Sequence, residues 1–145
     1  MWNEIKCETD LRNFMDMHNS FHDSCLKEFK FISGAYVNED LSMHPINDKR
    51  ILKIIIQRQF AYHSVIELEF LDLKYLKIFP SDEDYTCEIL GSTMILKDDC
   101  IYWCDCGELT EEDMESYRGI VVCASRARWR VADEYIGSKE VYVST

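Results

Sequence analysis

The sequence has few residues that break or loosen a chain: two prolines and five glycines occur among 145 residues. It contains no proline-, glycine- or serine-rich linker, no internal repeat and no low-complexity tract. A chain of this length without an internal boundary is typical of one folding unit. We therefore expect residues 1–145 to form a single domain.

Long apolar runs are also missing. The run at 54–56, III, is flanked by Lys53 and Gln57, and no stretch approaches the roughly 20 apolar residues that a membrane-spanning helix requires. The opening residues, MWNEIKCETD, lack the basic region and apolar stretch of a secretory signal. The seven cysteines are odd in number, which favours free thiols in a reducing cytosol. We expect a cytoplasmic protein with no membrane partner.

Basic side chains are few relative to acidic ones: 16 against 27, which gives a formal net charge of −11. Negative charge repels the phosphates of nucleic acids and of anionic lipids, so we expect neither as a partner. The same charge attracts a basic protein. The alternative that stays open is that the charge serves solubility alone.

The first part of the chain has the hydrophobic period of a helix. Leu11, Phe14, Met15 and His18 follow the i, i+3, i+4, i+7 spacing, and Thr9 precedes them as a candidate N-cap. This spacing predicts a helix that packs one face onto a sheet.

The rest of the chain alternates with the period of a strand, apart from one short helical segment. The alternating runs lie at 24–37, 51–60, 65–70, 73–79, 85–90, 93–96, 101–104 and 120–131, with a short edge strand in the tail 138–145. The first run is long for one strand and Ser33-Gly34 indicates a bulge or bend in it, while residues 38–49 predict a loop. Lys97-Asp98-Asp99 indicates a hairpin turn, and Thr110 with Asp113 indicates a capping box that begins a helix within 108–117. The short spacing between strands leaves no room for helical crossovers. We predict an α+β fold: a single, mostly antiparallel, curved meander with an N-terminal helix and a short internal helix.

The stretch NSFHDSCLKEF, residues 19–29, places His22, Asp23, Ser24 and Cys25 side by side. Neighbouring residues of an extended chain point to opposite faces, so the four side chains cannot converge by themselves. No nucleophile elbow or oxyanion loop accompanies them. We interpret Asp23 and Ser24 as caps that bond backbone N–H groups at the start of a strand. The alternative is that His22 and Asp23 line a polar pocket or contact a partner.

A second group of reactive side chains, Cys100, Cys104 and Cys106, raises the question of zinc. Structural zinc sites pair their ligands as C-x₂₋₄-C and need two such pairs, and on a strand Cys100 and Cys104 lie about 13 Å apart. Buried apolar thiols are therefore favoured. Zinc binding through Cys104 and Cys106 stays open as a weaker reading. Because no phosphate loop, H-E-x-x-H motif, calcium loop or dinucleotide fingerprint is present, we expect no cofactor.

Three arginines, Arg126, Arg128 and Arg130, alternate along one predicted strand. Glu67 and Glu69 show the same alternation on another, so cross-strand ion pairs are the expected arrangement. The alternative is that the guanidinium groups bind a carboxylate or phosphate of a ligand.

At FHDS, within NSFHDSCLKEF, the sequence resembles an uncharacterised class of small bacterial proteins in which a Phe-His-Asp segment begins a strand. The likeness continues in ILKIIIQRQF, VIELEF, CEILGSTMILKDDCIYWCD and CASRARWR. Some members of this class resemble immunity proteins of bacterial toxin systems, which bind a cognate toxin and block it. The resemblance implies a non-enzymatic, cytosolic, acidic binder, and it supplies no catalytic residues.

Two hypotheses of function follow. The first is a protein-binding module of immunity type, in which residues 111–115 with Asp98 and Asp99 attract a basic toxin. The second is a small-ligand-binding protein or a cryptic enzyme. Its candidate groups are His22, Asp23, Arg128 and Arg130.

Overall fold

The computed structural model describes residues 1–79, 84 and 86–143. Its strands are β1 (Asn3–Ile5), β2 (Ser24–Ile32), β3 (Tyr36–Val37), β4 (Met43–His44), β5 (Ile51–Arg58), β6 (Val65–Lys77), β7 (Glu88–Ile89), β8 (Thr93–Lys97), β9 (Cys100–Cys104) and β10 (Val121–Val131). Its α-helices are α1 (Glu8–Met17) and α2 (Glu111–Ser116), and single 3-10 turns lie at Asn19–Phe21 and Asp133–Tyr135.

The main sheet is antiparallel throughout and runs in the order β7-β2-β5-β6-β10-β9-β8, with β1 also paired to β10. Two consecutive meanders, β2-β5-β6 and β8-β9-β10, are joined where β6 pairs with β10. This curved antiparallel sheet, with one helix before it and a short one inside it, confirms the predicted α+β fold class.

The sheet curls because its two edge strands are consecutive in the chain. Only residues 90–92 separate β7 from β8, so Ile89 and Thr93 lie at most about 14 Å apart. A flat sheet would separate the first and last of seven strands by about 29 Å. The sheet therefore closes into a half-barrel with a concave and a convex face.

The concave face holds the main core, into which α1 packs. Leu11, Phe14 and Met15 of α1 are buried there, as their spacing predicted. The sheet residues of this core are Ile5, Leu26, Leu52, Ile54, Ile56, Ile66, Leu68, Phe70, Leu73, Ile89, Met94, Ile101, Trp103, Val122, Ala124, Ala127 and Trp129. The predicted N-cap is wrong: α1 begins at Glu8 after Cys7, and Thr9 lies within its first turn.

Strand β6 differs from the two strands predicted at 65–70 and 73–79. It is continuous over Val65–Lys77. The chain kinks at Asp72, where φ is +53°, but it stays in the sheet. Its first six residues are buried on both faces, so the face that carries Val65, Glu67 and Glu69 does not meet solvent. The convex face over these glutamates is covered.

The alternating run at 24–37 divides into two strands at Ser33-Gly34, where the sequence indicated a bulge or bend. Strand β2 ends at Ile32, the chain turns at Gly34 with φ +103°, and residues 33–49 leave the main sheet as a separate hairpin that contains β3 and β4. The sequence predicted a loop over most of this region. We call residues 33–49 the arm.

The C-terminal half follows its predictions more closely. Asp98 and Asp99 form the β8–β9 turn with φ of +52° and +59°, and Thr110 and Asp113 form the capping box of α2 with bonds of 3.0 and 3.2 Å. Strand β7 is shorter than the strand predicted at 85–90, and Pro80 and Tyr85 lie outside the described residues.

The predicted edge strand in the tail does not form over 138–143. These residues lie on the convex face, where the Glu28 carboxylate accepts hydrogen bonds from the backbone N–H groups of Val141 (2.8 Å) and Tyr142 (3.1 Å). Within the residues that the structure describes, no helix has the length and apolar character to cross a membrane.

Candidate functional site

An acidic corner forms where the β8–β9 turn meets α2. Lys97, the last residue of β8, places its Nζ 2.7 Å from Glu111 Oε2 in the first turn of α2. This ion pair brings Asp98 and Asp99 beside the helix that carries Glu112. We define the acidic corner as Asp98, Asp99, Glu111 and Glu112.

The electrostatic field of the acidic corner acts on the lysine at its centre. The hydrogen bond and charge of Glu111 raise the pKa of Lys97, and the charges of Asp98 and Glu112 add to the effect. In turn, the hydrogen bond from Lys97 lowers the pKa of Glu111. The side chains of Asp98, Asp99 and Glu112 are exposed, and within the described residues none of them forms an ion pair.

His22 and Asp23 lie at a strained connection before β2. Asn19, Ser20, Phe21 and Asp23 all have φ between +50° and +59°, a left-handed conformation that costs an L-residue about 1–2 kcal/mol. The burial of Phe21, which is 0% exposed, helps to hold this turn in place.

The strained turn also fastens the two edges of the half-barrel together. The N–H and Oγ of Ser92 both donate to Ser20 O, at 2.8 and 3.0 Å, and His22 Nδ1 donates to Leu90 O at 2.7 Å. Residues 90–92 link the edge strands, so these bonds close the seam between β7 and β8. The cap interpretation is wrong, since Ser24 Oγ is buried without a hydrogen-bond partner among the described residues, and Asp23 Oδ1 lies 3.5 Å from His22 Nε2.

The structure does not bring Arg128 to His22 and Asp23. Asp23 lines a cleft of about 450 Å³ together with Cys25, Gln57 and Glu88. Arg128 lies on β10, and strands β5 and β6 separate it from β2. The three residues do not form one pocket.

The arginine stripe is engaged within the protein, as the sequence predicted. Arg128 Nη2 lies 3.0 Å from Glu69 Oε1, and Arg130 Nε lies 2.8 Å from Glu67 Oε1. Both glutamate side chains are only 2% exposed. The indole ring of Trp2 covers both guanidinium groups, with centroid distances of 4.4 and 4.7 Å. Because these buried charges are paired and capped by an aromatic ring, their contribution is to bind the N-terminal segment to the convex face.

Arg126 is the member of the stripe that faces solvent. Its Nε lies 3.2 Å from Asp72 Oδ2, and its side chain is 61% exposed. Arg126 also lines a cleft of about 470 Å³ with Glu4, Lys6 and Asp99. Asp99 and Arg126 are thus two predicted site residues that the fold brings to one surface.

A pair of histidines, one buried and one partly buried, is a feature that the sequence did not reveal. His18, at the end of α1, is 0% exposed and lies among the rings of Phe14, Phe21 and Trp129. Its Nε2 is 3.0 Å from Nδ1 of His63 in the β5–β6 turn.

The hydrogen bonds of this pair determine its tautomers. Phe14 O can only accept, so His18 Nδ1, at 2.8 Å, carries the proton, and His18 Nε2 then accepts from His63 Nδ1. Burial lowers the pKa of His18 from 6.5 to about 4, and burial also lowers the pKa of His63. Arg58, which donates to Tyr62 O and His63 O at 3.1 Å, adds a smaller effect in the same direction on both rings. Both rings are therefore neutral near pH 7.

Three of the thiols, Cys104, Cys106 and Cys123, are poorly suited to nucleophilic chemistry. Burial raises the pKa of Cys104, Cys106 and Cys123, which disfavours the reactive thiolate. Cys104 Sγ donates to Cys106 O at 3.2 Å. Across residues 1–79, 84 and 86–143, no three His, Cys, Asp or Glu residues are placed to hold a metal ion.

Comparison with known proteins adds no relative: no family model matches the chain, and no curated protein or solved structure matches it significantly.

Proposed function

We propose that this protein is a non-catalytic binding module of immunity-protein type, which neutralises a basic toxin in the bacterial cytoplasm. The observation that carries the proposal is the acidic corner. A lysine–glutamate ion pair fixes its geometry, and its surface is formed by the exposed carboxylates of Asp98, Asp99 and Glu112, which make no ion pair with the described residues.

Carboxylates held close together at a surface repel one another, and a cationic partner relieves this repulsion when it binds. The formal net charge of −11 extends the attraction to longer range. Complementary charge mainly raises the rate of association, which suits a protein that must capture a toxin before it acts. The seven free thiols agree with a reducing compartment.

The state of the other candidate groups agrees with a binding role. Arg128 and Arg130 are occupied by buried glutamates, and burial disfavours the thiolate of Cys104. His22 donates to a backbone carbonyl and helps to fasten the sheet edges. Each of these groups has a structural task in the fold.

The proposal is tested by capture followed by neutralisation. The tagged protein is incubated at low salt with an extract of the source bacterium, and bound proteins are identified by mass spectrometry. We expect a specific basic protein whose toxicity in a bacterial host is relieved when this chain is co-expressed. Failure to recover any basic protein at low salt, or recovery of one whose toxicity is unchanged, would overturn the proposal.

A matched pair of variants locates the contact. Asp98→Asn with Asp99→Asn removes two charges from the acidic corner, and asparagine tolerates the positive φ of this turn. Asp16→Asn with Glu134→Gln removes two charges from exposed positions elsewhere. We expect the corner variant to lower the association rate by about tenfold at low salt and the control to leave it nearly unchanged. Equal effects of the two variants would assign the attraction to net charge alone.

A further inference from the structure

The arm, residues 33–49, presents apolar side chains to solvent without covering any part of the core. Leu41 at its tip is 82% exposed and Met43 is 69% exposed. Tyr36 and Val37 of β3 and Ile46 are exposed as well. Strands β3 and β4 pair only with each other among the described strands. The apolar surface of the arm therefore has no partner within the described part of this chain.

The base of the arm is held in a fixed geometry. Ser33 O accepts hydrogen bonds from the backbone N–H groups of Lys49 (2.9 Å) and Arg50 (3.2 Å). Gly34 permits this close crossing, since a Cβ at its position would lie 2.0 Å from Asp48 Oδ1. The arm thus leaves the main sheet at a defined point.

Ring contacts stiffen the arm above its base. The His44 ring stacks on Tyr36 at 4.8 Å between centroids, and His44 Nε2 lies 3.2 Å from Asp48 Oδ2. An element that is ordered before it binds loses less entropy on binding.

The tip of the arm is a tight turn that points Leu41 outward. Leu41 N donates to Asn38 O at 2.9 Å, and the N–H and Oγ of Ser42 donate to Asp40 Oδ1 at 2.9 and 2.6 Å. The Ser42 hydroxyl and N–H lower the pKa of Asp40, which stays ionised at neutral pH.

Leu41 is an unfavourable residue for this turn. Its φ is +71°, a conformation that favours glycine or asparagine and strains a leucine. Neither burial nor backbone preference accounts for a leucine here. A large apolar side chain held away from its own protein is the geometry of an interface anchor.

The charges beside Leu41 indicate what kind of surface it meets. Within residues 36–44 the only Asp, Glu, Lys or Arg residues are Glu39 and Asp40, and both are exposed. A second copy of this chain would bring acid against acid, and an anionic membrane would repel the tip in the same way. A basic protein with an apolar pocket complements both features of the tip.

We propose that the arm is the docking element for the basic partner, with Leu41 seated in an apolar pocket whose rim carries lysine or arginine. This inference rests on the proposed function and assigns different roles in binding to two surfaces. The acidic corner attracts the partner, and the arm holds it. The acidic corner therefore governs mainly the association rate, and Leu41 governs mainly the dissociation rate.

The test begins with site-specific photo-crosslinking of the full chain in cells of the source bacterium. A photoreactive amino acid replaces Leu41, and in the control it replaces Leu90, which is 70% exposed but lies outside the arm. We expect position 41, and not position 90, to give an adduct with one basic protein. An adduct with a second copy of this chain, an adduct with lipid, no adduct at position 41, or equal adducts at both positions would overturn the docking role.

The protein identified by the adduct is then purified and its binding kinetics are measured. We expect Leu41→Asp to weaken binding by about 30-fold or more, mainly through faster dissociation, which is the size of a hot-spot truncation. Thermal melts show whether the variant folds, and the exposed position of Leu41 makes loss of folding unexpected.

The outcome separates the two proposals. A partner that binds Leu41→Asp as tightly as the original chain, but binds Asp98→Asn with Asp99→Asn more slowly, would refute the arm and leave the proposed function standing. If no basic protein binds any form of the chain, both proposals fail.

Discussion

Acidification should destabilise this protein through His18 before its carboxylates begin to titrate. The unfolded chain takes up a proton at this position as the pH falls through about 6.5, whereas the folded protein takes it up only near a pKa of about 4. The neutral ring therefore contributes its full stability above pH 6.5, and this contribution is lost as the pH falls towards 4. The sign is that of a buried base, since protonation favours unfolding.

The magnitude follows from the two pKa values. The full difference between the unfolded and folded pKa values of His18 corresponds to about 3 kcal/mol of folding free energy. About 2 kcal/mol of this stability is lost between pH 7 and pH 5. Carboxylates with a lowered pKa, such as Asp10 and Asp40, contribute mainly below pH 5, because unfolded carboxylates titrate near pH 4. The change in the free energy of unfolding between pH 7 and pH 5 therefore reports mainly on the histidines. The lowered pKa of His63 adds to the loss in the same direction.

The assay is urea denaturation at pH 7, 6 and 5 for the original chain and two variants. His18→Phe keeps an aromatic ring among Phe14, Phe21 and Trp129 but cannot titrate, so its free energy of unfolding should depend much less on pH. Met17→Leu changes an exposed, non-titratable side chain of α1 and should keep the original dependence.

The reasoning is refuted if the original chain loses less than about 0.5 kcal/mol between pH 7 and pH 5, or if His18→Phe keeps the full dependence. NMR titration of the histidine rings gives an independent reading should His18→Phe fail to fold. A His18 ring that titrates near its ordinary pKa would contradict the burial argument.

Three further predictions, each tested by urea denaturation, should separate interface residues from structural ones. Leu41→Gly should raise the free energy of unfolding by about 1 kcal/mol, because glycine accepts the positive φ and no packing is lost; a loss would contradict the strain argument. Glu69→Ala should lower the free energy of unfolding by about 3–5 kcal/mol, because it leaves Arg128 unpaired under Trp2. Asp72→Ala, at a half-exposed carboxylate, should lower it by about 1 kcal/mol or less. Equal losses in the two variants would refute the role of burial. Gly34→Ala should destabilise the protein more than Gly137→Ala. The angle φ is near +104° at both positions, but only at Gly34 would the new methyl group meet neighbouring atoms, those of Asp48 and Lys49. A larger loss of stability in Gly137→Ala would contradict the close crossing at Gly34.

The alternation of apolar and polar residues along the chain predicts most of the fold. It predicted the segments that form β2, β5, β6, β8, β9 and β10, but not β1. It also paired Arg128 and Arg130 with Glu67 and Glu69, because residues with the same period on adjacent strands meet on one face. It did not reveal that Trp2 covers these pairs, since a contact between residues more than a hundred positions apart leaves no local pattern.

Other features lie beyond sequence patterns for physical reasons. The left-handed turn at 19–23 contains no glycine, so residue preferences give no sign of it, and the bonds between Ser20 and Ser92 that hold it are distant in sequence. The apolar face of α1 included His18, but its partner His63 lies 45 residues away in a turn. The acidic corner was anticipated from composition; the ion pair of Lys97 with Glu111 that assembles it was not.

The pairing of β1 with β10 has a consequence for biosynthesis. Asn3 and Trp129 are register partners, so β1 finds its place only after the ribosome has added the 126 residues that follow Asn3 up to Trp129. At about 5–20 residues per second, the synthesis of residues 78–131 takes about 3–11 s, and during this time the edge of β6 that β10 covers stays unpaired. Contacts of such long range also slow the final step of folding. A cell that relies on this protein must therefore shield a half-made sheet during each round of translation.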